Sequence, residues 1–150
     1  MGLDMYLTKK TYIGNKWAKE GGQELVGLKQ HYKTREIKEK RISSISEEVM
    51  YWRKSNYIHK WFVDNCGGGN DNCQEYYVSE EQLKELLTLC KEVLANKASA
   101  KDILPTQSGF FFGGTDCDDY YFEDIEQTAN ELTKLLEEKG SGDFYYQASW

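Results

Sequence analysis

The chain has 150 residues, a net charge of −6 and a pI near 5.0, with 39% hydrophobic and 14% aromatic residues. One domain of this length buries most of its apolar surface in a single core, and eleven Tyr with four Trp make that core ring-rich. The acidic balance argues against a DNA- or RNA-polymer binder, whose affinity comes from neutralising phosphates. The charge is uneven, however: Lys29 to Arg41 holds six Lys/Arg against two Glu, and Asp116 to Lys139 nine acids against two Lys.

In chain order, Gly2 to Ile13 alternates, with Leu3, Met5 and Leu7 on one side and Asp4, Tyr6 and Thr8 on the other. That is a half-buried strand. Glu24 to Arg35 alternates again and sets Lys29, His31, Lys33 and Arg35 on one face, with Glu36 to Ile42 as the return arm of a hairpin. The basic row is either a solvated edge that discourages aggregation or a wall facing phosphate.

Ser44 to Asn65 is predicted as one helix. At about 100° per residue, Ile45, Val49, Trp52, Asn56, His59 and Val63 fall along one line, flanked by Arg53 and Lys60. Ser44 with Glu47 has the spacing of a capping box, and Cys66-Gly67-Gly68-Gly69 supplies the stop. This helix would hold an amide and an imidazole beside the Trp52 indole, bordered by two cations. Such a set suits an anionic ligand with a flat ring: Arg53 and Lys60 for phosphate, Trp52 for stacking, Asn56 for a polar edge. The bland account is that Asn56 and His59 bond neighbouring backbone while the cations reach water.

Cys66 and Cys73 lie too far apart for a zinc knuckle, and Asn70-Asp71-Asn72 lacks the rest of an EF-hand. No metal or cofactor is expected, and the GGGNDN loop between the cysteines is read as a surface loop or lid. Glu75 to Val78 is a short strand. Ser79 caps a helix running to about Asn96, with Gln82 completing the box and Leu83, Leu86, Leu87, Cys90, Val93 and Leu94 as its stripe. Phe110-Phe111-Phe112 stands between glycines. Three successive rings cannot all point inward, because neighbours alternate sides, so one lines a cleft or an interface. Asp116, Asp118 and Asp119 are first a helix cap and second a carboxylate group for acid–base or metal chemistry. A helix from Tyr120 to about Lys139 follows, and Asp143 to Trp150 closes the chain as a strand that pairs with the first.

The segments GLDMYL (2–7), YWRKSNYIHKWF (51–62), LPTQSGFFFG (104–113) and YYQASW (145–150) resemble a family of small uncharacterised phage and prophage proteins, over nearly the whole length. The resemblance implies a context rather than a chemistry: small phage proteins are often counter-defence factors, and some sequester nucleotide messengers.

These readings converge on an α+β domain spanning 1–150, a small mixed or antiparallel sheet packed with three helices. The first function expected is sequestration of a phosphorylated, nucleotide-like ligand by Tyr6, Trp52, Arg53, Asn56, His59, Lys60 and Phe111. The alternatives are a nucleotide hydrolase or phosphodiesterase using His59, with Asp4 or Asp116 to Asp119 as partner, and an inhibitor that binds a host enzyme through exposed aromatics. No apolar run reaches membrane-spanning length. A cytoplasmic protein, in the host cytosol if phage-encoded, with scope for homo-oligomers, completes the expectation.

Overall fold

The computed structural model describes residues 2–12 and 43–150. Its strands are β1 (Asp4–Tyr12), β2 (Ser44–Arg53), β3 (Tyr76–Val78) and β4 (Asp143–Ser149), in one antiparallel sheet of order β2-β1-β4-β3. The helices are α1 (Asn56–Asn65), α2 (Glu80–Ala95), the single turn α3 (Ala100–Ile103) and α4 (Asp119–Glu137). The class is α+β, with four helices among the described residues where the sequence suggested three. The expected hairpin of residues 24–42 lies outside the described residues.

β1 is central because its alternation offers a fully apolar side. Leu3, Met5 and Leu7 are buried, and they join Met50 and Trp52 of β2 and Phe144, Tyr146 and Ala148 of β4 on one sheet face. Helices α1, α2 and α4 close over that face, contributing Phe62, Leu83, Leu86, Ile125 and Leu132 to the same core. Lys9 also points inward, at the far end of the sheet. Its ammonium stands over the Phe144 ring, 5.9 Å from the centroid, and within 3.9 Å of Glu138, beside a hollow of about 40 Å³. This is snorkelling at a core margin.

The predicted helix over Ser44 to Asn65 is corrected: its first half is strand β2, and only its second half is α1. A bulge explains the misreading. The β1–β2 register slips between Leu7 and Thr8, which pair with Met50 and Glu48 and leave Val49 as the extra residue. An added residue breaks the two-residue period of a strand, and the spacing of Ile45, Val49 and Trp52 then imitates a helical turn. Ser44 and Glu47 therefore cap nothing. Lys54, at φ 58°, turns the chain between strand and helix.

The other helices follow their sequence signals. Ser79 and Gln82 form a reciprocal capping box at α2. Asp118 caps α4 by accepting from the Tyr121 amide, which favours the cap over catalysis for this carboxylate. The Cys66–Gly69 stop also holds: the amides of Gly67 and Gly69 donate to the last carbonyls of α1, and Gly68 and Gly69 adopt φ of 60° and 79°.

Two predictions test this core. Trp52 is 6% exposed, packs against Phe62, and donates from Nε1 to Thr128 Oγ1 at 2.8 Å. Trp52→Ala is expected to lower unfolding free energy by about 3–5 kcal/mol in urea denaturation; a loss near zero would remove the indole from the core. Burial pushes the Cys90 thiol up to about 12, so roughly one molecule in ten thousand carries its thiolate at pH 8. Alkylation of Cys90 should therefore proceed at the rate of unfolding, and fast labelling of the native protein would contradict that.

Candidate functional site

The seven residues expected to surround one ligand divide into three groups. Trp52, Asn56 and His59 are buried inside the fold, Lys60 lies on the outer side of α1, and Tyr6, Arg53 and Phe111 are at the sheet surface or its end. The strand-to-helix break at Lys54 is the physical reason. Residues 52 and 53 alternate sides of a strand, whereas residues 56, 59 and 60 follow a helix that starts afresh.

Asn56 is held by the protein itself. Its Nδ2 donates to the carbonyls of Phe112 and Gly114 at 2.9 and 2.8 Å, and its Oδ1 accepts the Gln107 amide at 2.9 Å. A carboxamide has two donors and an acceptor, and all are used. Asn56 thus fastens the aromatic loop 107–114 to the start of α1.

His59 is 1% exposed and lies within the same interior. Its Nδ1 is 2.7 Å from Tyr146 Oη, and its ring meets the edge of Phe112. Burial, and then the nearby Asp71 charge, hold the Tyr146 hydroxyl well above its usual pKa, so it stays protonated and donates to Nδ1. The remaining N–H is then on Nε2. Asp71 Oδ1 is 3.0 Å away but off the N–H direction, so the contact is close without being an aligned hydrogen bond. The same carboxylate oxygen accepts from Trp150 Nε1 at 3.1 Å. Both imidazole nitrogens are therefore turned towards groups of the fold, and the partner of His59 is Asp71 rather than Asp4 or Asp116 to Asp119. Asp4 instead accepts the Tyr51 hydroxyl at 2.5 Å. Lys60 pairs with Asp64 one turn along α1, at 2.7 Å.

What does gather in space is a corner at the end of the sheet. Leu3 donates to the Phe111 carbonyl and accepts from the Lys54 amide, which ties the start of β1 to the aromatic loop and to the β2–α1 turn. A side chain at Gly2 would lie 3.5 Å from Lys54 Cε and 3.8 Å from an Arg53 guanidinium nitrogen, so both cations pass over this glycine. Gly113, at φ 85°, lies against the Lys54 stem, where a Cβ would come within 3.2 Å of Lys54 Cβ. Arg53 and Lys54 are exposed, and neither forms an ion pair with a described carboxylate. Phe110, 94% exposed, stands edge-on to Phe111 at 4.8 Å, while Phe112 turns inward. The alternation argument for three successive rings is met, though on a loop rather than a strand.

Of the expected residues, the corner contains Arg53 and Phe111, with Asn56 positioning the loop from below. Sequence reasoning missed Gly2, Lys54 and Gly113 as members, and named Phe111 from the three rings where Phe110 is the exposed one. No local signal was available for the cations, because the bulge at Val49 hides the strand that Arg53 ends and the left-handed turn at Lys54 is not marked by a glycine. Among the described residues no cluster of three or more His, Cys, Asp or Glu is arranged to hold a metal ion, and no helix is long and apolar enough to cross a membrane. Comparison with protein-family models, curated proteins and solved structures finds no match.

The Asn56 clamp is directly testable. Asn56→Ala leaves two carbonyls and an amide without their partner in a buried setting, so a loss of roughly 2–3 kcal/mol is expected. Amide exchange should quicken selectively across residues 107–114. Unchanged exchange there would show that the loop holds itself.

Proposed function

We propose that this chain is a binding protein without turnover, and that it sequesters a small phosphorylated ligand carrying a flat ring, of nucleotide type. The observation that carries the reading is the corner itself: two exposed cations, adjacent in sequence and without an ion-pair partner among the described residues, converge over Gly2, next to Leu3, which bonds the aromatic loop at Phe111. Arg53 offers a planar fork of donors suited to phosphate oxygens, and Lys54 a mobile point charge. Phe110 supplies a free face for stacking, which is tolerant of base identity. Gly113 is exposed and lacks a Cβ, so a phosphate can approach its backbone closely, whereas Gly2 lies beneath the two cations.

The positive φ of Lys54 adds support. A non-glycine residue in the left-handed region costs on the order of 1 kcal/mol and persists where the surroundings impose it. Here it directs the Lys54 side chain back towards Arg53 instead of along α1. In a phage setting, to which the sequence resemblance points, removing such a ligand from solution is the action of a counter-defence factor.

Binding without turnover is favoured over hydrolysis by the position of His59. A general base must come within hydrogen-bond reach of the proton it removes, and this imidazole is enclosed by Phe112, Tyr146 and Asp71. Asp4, across the strands from Arg53, already accepts the Tyr51 hydroxyl.

Calorimetric titration against a panel of cyclic and linear nucleotides is the test. At least one should bind, Arg53→Ala and Lys54→Ala should each weaken it roughly tenfold or more, and the ligand should be recovered intact after denaturation. Absence of heat and of any melting shift across the panel would end this reading. Product formation lost in a folded His59→Ala would favour the hydrolase, and a host protein captured equally by wild type and by Arg53→Ala/Lys54→Ala the inhibitor.

A further inference from the structure

The outer face of the sheet has no described element packed on it, and its side chains are nearly all polar or tyrosine. Along β1 this face presents Asp4, Tyr6, Thr8 and Lys10, and the register places Gln147 and Tyr145 of β4 beside Tyr6 and Thr8. Asp4 and Lys10 lie at equal distances on either side of Leu7, and so do Tyr6 and Thr8.

That symmetry has a consequence for two copies laid face to face. A two-fold axis running across the strands at the level of Leu7 places β1 on β1 of the copy in reversed direction. Asp4 then meets Lys10, Tyr6 meets Thr8, and Gln147 meets Tyr145, each twice. Every pair is complementary: carboxylate with ammonium, hydroxyl with hydroxyl, amide with phenol. An axis running along β1 would instead set Asp4 on Asp4 and Lys10 on Lys10, and like charges directly opposed are unfavourable. The arrangement of charges on β1 thus selects one register.

We infer that the chain forms a symmetric dimer through this open sheet face, with the two β1 strands antiparallel across the interface. An isologous contact needs a self-complementary patch, and this one is self-complementary although the chain as a whole carries −6. Tyr6 and Tyr145 supply rigid apolar area with a polar tip, the residue type enriched where two wet surfaces meet. The pairs that define the register do not include Arg53 or Lys54, although Asp4 faces Arg53 across the strands, so the corner borders this face.

Sedimentation over a hundredfold concentration range tests it. The wild type should shift from monomer to dimer mass as concentration rises, and less readily in high salt. Asp4→Lys and Lys10→Asp should each abolish the shift, and the double exchange should restore it, because the swapped pair is again complementary. Thr8→Arg, which adds bulk beside Tyr6 of the copy, should act like the single reversals, with circular dichroism confirming that each variant is folded. A wild type that stays monomeric throughout, single reversals that still dimerise, or a double exchange that stays monomeric would each overturn the proposal. Nucleotide titration of Thr8→Arg separates this outcome from the fate of the ligand-binding reading, because Thr8 lies four residues from Asp4, the cross-strand partner of Arg53.

Discussion

The carboxamide of Asn56 is the interaction on which the candidate site depends. It is buried at the first turn of α1 and holds three main-chain groups of loop 107–114 at once. A buried backbone group left without a partner is costly, so this one side chain replaces the water the loop would otherwise require. With the loop held, Phe111 can take the Leu3 amide, Phe112 can turn into the core, and Phe110 is left outside. The same residue type that looked like a ligand reader is a structural fastener.

A second polar assembly does comparable work one turn further along α1. Tyr146, His59, Asp71 and Trp150 run in sequence of contact from β4 through the helix to the glycine-rich loop and the last residue. Tyr76 hydroxyl on the Asn70 carbonyl and Gln147 on the Cys73 carbonyl fix the same loop. Connections of this kind account for a loop rich in glycine and asparagine that is nevertheless well placed. They also explain why two polar residues stand on the inner side of α1: each is paid for by partners that arrive from distant segments.

The sheet divides the molecule chemically. Its inner face carries Leu, Met, Trp and Phe against the helices, and its outer face carries tyrosines, Thr8, Gln147 and balanced charges. The two proposals made above rest on different parts of this division, the cationic corner at the sheet's end and the tyrosine-bearing outer face.

Local patterning was enough for β1, α2, α4 and β4. Their apolar periods are unbroken, and the capping box at Ser79 and the cap at Asp118 depend only on neighbours three residues away. Ser44 to Arg53 was not legible as a strand, because the bulge at Val49 disturbs its period and only pairing with β1 distinguishes strand from helix there. Nor could the sequence say which polar residues of 52–60 are enclosed by the fold. The partners of Asn56 lie about fifty residues on, the Tyr146 partner of His59 lies 87 residues on, and the neighbours of Arg53 and Lys54 are Gly2 and Gly113. Local order came from the sequence because it is governed by periods and caps; the site came from tertiary structure because each of its contacts joins segments that only the folded chain brings together.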